Sequence, residues 1–177
     1  MRTSRLPTSY FQQNNTVHLA ADLLGKTLIR QFDDGTVLKA QITETEAYFG
    51  SEDLASHASK GRTPRTELMF GKAGYVYVYL IYGKYWLLNI VTGTAGTPEA
   101  KLIRGLTTVS GPGRISNLLQ LDKTFYGEDL STSTRLWIKD SQLPSEIIAG
   151  PRVGVDYGGE VWKSMPWRFI LKQGQCR

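Results

Sequence analysis

The sequence predicts a mixed α/β (α+β) fold: a single domain on a curved, mostly antiparallel β-sheet, with flanking helices and a protruding aromatic β-hairpin. Two pairs of β-rich runs carry that expectation. Lys26–Phe32 and Val37–Tyr48 face each other across Asp33-Asp34-Gly35, and the runs on either side of Gly83 lie at hairpin distance. Strands joined by turns this short run antiparallel, because a parallel pair needs a crossover of a dozen or more residues. The segments with helical spacing are short and fall outside these pairs.

Composition sets the outer limits. A chain of 177 residues, 41% hydrophobic and 21% charged, is long enough for one real core, and no repeat, low-complexity tract or linker divides it. Its 21 basic residues against 16 acidic ones leave a net charge of +5, which suits a polyanion without requiring one. The lone Cys176 excludes an internal disulfide and a multi-cysteine zinc site, and His18 and His57 are too few for most metal sites. With no apolar run of membrane-spanning length and no signal peptide, the expectation is a soluble, intracellular protein without metal or cofactor.

Taken in order, residues 1–14 read as a flexible arm whose Arg2 and Arg5 could touch phosphates, and residues 15–177 as the single domain. Asn15 or Thr16 can cap a helix over Val17–Leu24, which Gly25 is placed to end. The return strand Val37–Tyr48 finishes in Thr43-Glu44-Thr45-Glu46-Ala47-Tyr48, and the two-residue spacing puts Glu44 and Glu46 on one face. That face is either a solvated acidic edge or the site of a carboxylate buried for a purpose. A partly desolvated glutamate has its pKa raised towards neutrality, which suits it to take a proton from water.

Ser51 opens a helical turn through His57, and Thr63–Pro64 marks a helix start with Met69 and Phe70 buried and Gly71 closing it. Residues 74–91 hold five of the nine tyrosines: Tyr75, Tyr77 and Tyr79 alternate with Val76, Val78 and Leu80, so one face is aromatic and the other aliphatic. Tyr82 falls at the hairpin tip, where it either folds back or seeks a partner outside the protein. Lys101–Leu106 reads as a strand carrying Arg104 among apolar neighbours, which asks for a carboxylate. Gly111-Pro112-Gly113 opens a helix with an Ile115, Leu118, Leu119 stripe, and Gly113, Arg114 and Arg65 are candidate phosphate contacts. Arg135–Lys139, Glu146–Val155 and Trp167–Lys172 complete the strands.

Thr43–Gly50, Ser56-His57, Arg62-Thr63-Pro64-Arg65 with Met69-Phe70, the hairpin Tyr77–Asn89, and Pro151-Arg152-Val153-Gly154-Val155 together resemble the alkyladenine (3-methyladenine) DNA glycosylase family, in order from about Leu23 to Leu171. The resemblance implies a monofunctional glycosylase that flips damaged purines out of duplex DNA and hydrolyses the bond to the sugar. In its terms Glu46 activates water, Arg104 helps hold that water, and Tyr48, His57 and Tyr79 line the base pocket. Tyr82 fills the vacated stack, and Asn89 crowds the exocyclic amino group of guanine. 3-Methyladenine is the first substrate implied, then 7-methylguanine, hypoxanthine and ethenoadenine. A monomer associated with DNA, whose product passes to an abasic-site processing enzyme, is the accompanying expectation.

Two departures stand out: only Gly105–Ser110 fills a stretch that is longer, basic and partly helical in the family, and the turn between Asn89 and Arg104 is slightly long. The competing readings are a helix-hairpin-helix glycosylase, which lacks the expected lysine and aspartate here, and a noncatalytic damaged-DNA or RNA binding module that stacks bases on the hairpin tyrosines.

Overall fold

In the computed structural model, residues 4–13, 16–141 and 146–172 are described; the contacts assigned to Arg2, the cap at Asn15 and the lone Cys176 lie outside them. Two short helices, α1 (Thr8–Phe11) and α2 (Thr16–Asp22), precede the first hairpin, β1 (Thr27–Gln31) and β2 (Val37–Phe49). The aromatic hairpin is β3 (Val76–Ile81) and β4 (Tyr85–Val91), followed by β5 (Glu99–Leu106) and the two-residue β6 (Val109–Ser110). Then come α3 (Pro112–Leu118), β7 (Leu136–Lys139), β8 (Ile147–Gly150), α4 (Gly159–Ser164) and β9 (Arg168–Leu171).

All the strand pairs are antiparallel, and the main path runs β3-β4-β5-β2-β1-β7, with β6 on β5 and β9 joining β2 to β8. The long strand β2 organises the sheet: its first half pairs with β1 and its second half with β5 on one side and β9 on the other. Alternation decides what each face buries. Val76, Val78, Leu88, Ile90 and Ile103 join Leu23, Ile115 and Leu119 of the helical side in the main core, whereas Tyr77, Val91 and Ala100 turn the other way onto Ala58 and Met69.

Residues 4–13 correct the expectation of an arm. Arg5 bridges to Lys139, the Leu6 amide donates to the Ile138 carbonyl at 2.8 Å, and the Phe11 ring is completely buried. Burying one such side chain contributes about 1.5–3 kcal/mol, which adds to the backbone bonds in holding a segment that would otherwise fray. The helix expected from Thr63–Pro64 is instead a turn fastened by hydrogen bonds between Thr63 and Thr66, followed by one 3-10 turn, Glu67–Phe70, with Met69 buried as expected. The strand expected over Glu146–Val155 is confined to Ile147–Gly150.

Candidate active site

Where β2 meets β5 the ladder is irregular. Ile42 pairs with Leu106, Glu44 with Gly105 and Thr45 with Ile103, so Thr43 on one strand and Arg104 on the other have no opposite number. Irregularities of this kind re-aim side chains and are common beside active sites. Gly105 makes this one feasible, because a Cβ there would stand 2.6 Å from Thr43 Oγ1 and 2.8 Å from the Glu44 Cβ.

The consequence is that Arg104 comes to rest against both glutamates. Its Nε donates to Glu44 Oε1 at 3.0 Å and lies 3.4 Å from Glu46 Oε1. Glu44 also accepts from Arg168 Nε at 2.6 Å, across the β2–β9 pair. Glu46 is completely buried and accepts two further hydrogen bonds: from the Tyr48 hydroxyl to Oε2 at 2.9 Å, and from the Val153 amide to Oε1 at 2.8 Å. Burial raises the Glu46 pKa, Arg104 and the two donors oppose that rise, and the Glu44 charge adds to it; the net direction is up. A carboxylate so placed is suited to take a proton, with its lone pairs aimed by named partners.

Beside Glu46 the aromatic face of the hairpin closes a small cavity. Tyr48, His57, Tyr77, Tyr79, Asn89 and Tyr157 line it with Ala55, Met69 and Ala100, and its volume of about 30 Å³ holds a water molecule or two. His57 Nδ1 pairs with the Tyr77 hydroxyl at 3.1 Å, and its ring meets Tyr79 edge-on with centroids 4.5 Å apart. Burial, then the positive charges of Arg65 and Lys60, push the His57 pKa down to about 4, so the ring is neutral at physiological pH. Asn89, buried in the middle strand of three, donates from Nδ2 to the Leu87 carbonyl at 3.2 Å, which fixes its amide. Tyr157 is the exposed part of the lining, at 69%, with its hydroxyl donating to the Ala55 carbonyl at 2.8 Å.

Tyr48, His57, Tyr79 and Asn89, separate in the sequence, therefore line one cavity, and Glu46 with Arg104 stands behind Tyr48, joined to the cavity through the Tyr48 hydroxyl. Tyr82 is set apart from them at the hairpin tip: 88% exposed, with a positive φ of 49°, it does not fold back. The candidate phosphate contacts divide. Arg65 lies over the Tyr79 ring at 5.1 Å, next to His57, whereas Gly113 packs against the Tyr85 ring and Arg114 is exposed on α3, a helix of only seven residues. Val153 has a place in a sequence motif but no role there, because it acts through its backbone, and the sequence does not mark Tyr157, which looks like any surface tyrosine.

Comparison with known proteins gives the same picture along the chain. The sequence model of a family described as methylpurine-DNA glycosylase matches residues 10–110 and 107–175; the two stretches meet in the segment that is shortened after Arg104. A protein of Methanocella arvoryzae named "Putative 3-methyladenine DNA glycosylase" is 41% identical, over 97% of this chain and 94% of its own length. Proteins of the same name from Anaeromyxobacter dehalogenans (42% identical, 95% of this chain, 82% of theirs) and Legionella pneumophila (41%, 95% and 94%) match nearly as fully. With matches of that identity running through both the glutamate strand and the aromatic hairpin, the chain belongs to the methylpurine-DNA glycosylase family.

Proposed function

We propose that this protein is a monofunctional DNA-3-methyladenine glycosylase, which flips an alkylated purine out of duplex DNA and hydrolyses its bond to the sugar. The observation that carries the reading is Glu46: a completely buried carboxylate, made more basic by burial, aimed by Arg104, Tyr48 and Val153, and hydrogen-bonded to a tyrosine that lines an aromatic cavity. Family membership supports the substrate class.

The chemistry suits these residues. Extruding a base costs a few kcal/mol of stacking and pairing, and stacking on aromatic side chains returns about 1–3 kcal/mol per base. Tyr48, His57 and Tyr79 supply that stacking to the base, and their ring faces favour the positive charge of 3-methyladenine or 7-methylguanine. Tyr82 supplies it to the gap left in the duplex. A purine is larger than the closed cavity, so its walls part on entry; Tyr157 is the most exposed of them.

A cationic base leaves as a neutral molecule. The electron pair of the N-glycosidic bond goes to the ring nitrogen, water adds to C1′, and Glu46 takes the proton that the water gives up. The Glu46 charge also steadies the oxocarbenium-like sugar, and general base catalysis of this kind contributes about 10²–10⁴ in rate. Hypoxanthine and ethenoadenine, which carry no such charge, are slower substrates on this account.

The test is release of methylated purines from alkylated duplex, read as abasic sites on a gel. The wild-type protein is expected to release them in EDTA, and borohydride is expected to trap no protein–DNA adduct, since direct hydrolysis forms no imine. A trapped adduct overturns the monofunctional reading. Tight binding of the damaged duplex without any abasic product favours the noncatalytic binding module instead.

A further inference from the structure

Arg152 lies in the Pro151–Val155 stretch that the sequence analysis singled out and to which the proposed chemistry gives no part. Its side chain is wholly buried, as is that of Asp53. Nη1 donates to Asp53 Oδ2 at 2.6 Å and to the Ala47 carbonyl at 3.0 Å, while Nη2 donates to Asp53 Oδ1 at 2.9 Å and to the Trp162 carbonyl at 3.1 Å. Asp53 is itself held by the amides of Phe49 and Ala55, at 3.3 and 3.1 Å. The guanidinium lies 4.8 Å from the centre of the Tyr48 ring and 5.0 Å from that of Trp167.

A buried ion pair is poor evidence for stability, because desolvating both charges offsets most of their attraction. This one is distinguished by what it holds. The Tyr48 ring packed on the guanidinium carries the hydroxyl that donates to Glu46 Oε2, and Val153, the next residue in the chain, carries the amide that donates to Glu46 Oε1. The Ala47 carbonyl that Arg152 grips lies between Glu46 and Tyr48 in β2. Neither Arg152 nor Asp53 lines the aromatic cavity, and Arg152 reaches Glu46 only through Tyr48 and Val153.

We propose that Arg152, clamped by Asp53, is a positioning residue for Glu46: it fixes the Tyr48 ring and the Val153 peptide, and so keeps the two donors on the Glu46 carboxylate. The proposal rests on the reading of Glu46 as the general base. The charged and titratable groups that face Glu46 are Arg104 from β5, Glu44 and Tyr48 from β2, Tyr79 from β3, Tyr157 from the segment before α4, and, one contact removed, Arg168 of β9 on Glu44. Both donors favour the ionised carboxylate, so loosening them leaves burial and Glu44 less opposed. The Glu46 pKa then rises.

Arg152→Lys tests this, since it keeps a positive charge for Asp53 but loses the planar group that packs on Tyr48 and bonds on two sides. The carboxyl of Glu46, followed by carbon-13 NMR in the free protein, is expected to titrate about one pH unit higher than in wild type, in keeping with the usual effect of losing hydrogen bonds to a charged form. The acid limb of single-turnover release from alkylated duplex is expected to move with it, activity returning as the pH is raised, while binding to abasic duplex persists. An unchanged Glu46 titration in folded Arg152→Lys overturns the proposal. If that variant does not fold, Trp167→Leu, which removes one face of the sandwich and leaves the ion pair, is read the same way. A titration shift in a protein whose wild type releases no base would leave the clamp standing and remove only the catalytic reading.

Discussion

Glu44 takes the two shorter arginine contacts, at 2.6 and 3.0 Å, and Glu46, two residues further along β2, is left with the longer one at 3.4 Å. The division matters because a carboxylate fully neutralised by a guanidinium would be a poor base. Glu44 keeps Arg104 partly occupied and adds its own negative charge, and both effects favour a proton on Glu46. Glu44→Gln is therefore expected to lower the Glu46 pKa and move the acid limb of base release to lower pH. At a pH high enough to ionise Glu46 in both proteins, the variant has the weaker base and releases base more slowly. His57, neutral above about pH 4, adds no limb between pH 5 and 8. Single-turnover rates from pH 4.5 to 9 check this; a limb near pH 6.5 that His57→Gln abolishes would show that the histidine titrates during the reaction.

The same burial makes Glu46 costly to the fold. A group whose folded pKa is raised contributes most below its unfolded pKa, and that contribution is lost as the pH climbs through the folded value. Glu46→Gln should accordingly gain in melting temperature over wild type as the pH is raised through the Glu46 titration. The gain should shrink on acidification below the ordinary carboxylate range. The amide keeps the shape, so binding of damaged duplex is retained while excision is lost. Excision near the wild-type rate would remove Glu46 from the role of base.

Much of this arrangement was legible in the sequence, and the parts that were not share a physical cause. The hairpin could be read because a period of two over Tyr75–Leu80 and the break at Gly83 are local signals. The partnership of Arg104 with a carboxylate followed from the cost of a bare charge among leucines and isoleucines. Phe11 was misread because its burial depends on distant residues such as Leu23 and Ile90, which a polar N-terminal segment does not announce. The Val153 amide, 107 residues from Glu46, is a backbone donor with no residue type to betray it. The paired irregularity around Thr43 and Arg104 leaves no mark in the sequence beyond Gly105.

Tyr82 is the residue whose loss should separate binding from stability. At 88% exposure it contributes little to the core, and its positive φ is a modest strain that a smaller residue does not worsen. Tyr82→Ala is expected to keep the melting temperature within a degree or two and to weaken binding to abasic duplex by about 5–100-fold, the equivalent of one lost stacking contact. The salt dependence of binding should hardly change, because that slope counts phosphate contacts rather than stacking. A variant that melts much earlier yet binds normally would make Tyr82 a packing residue.

Discrimination against undamaged purines is the hardest task this pocket faces, because one extra methyl group in an apolar site is worth only about 1–3 kcal/mol. Something must act against guanine itself, which is plentiful and whose bond to the sugar is comparatively labile. Asn89 is placed for that. It stands beside Tyr77 across the β3–β4 pair and lines the cavity, with its amide tied to the Leu87 carbonyl and unable to swing aside. On the proposed reading its amide meets the N2 amino group, which guanine has and adenine and hypoxanthine lack. Shortening the side chain removes the obstacle without opening the core: Asn89→Ser should raise the release of undamaged guanine at least several-fold, while release of hypoxanthine changes by less than about twofold, the scale of a contact not made. Single-turnover rates on duplexes differing only in that base decide the matter. Equal losses on both would mean that Asn89 serves the strand, and that guanine is excluded by some other part of the pocket.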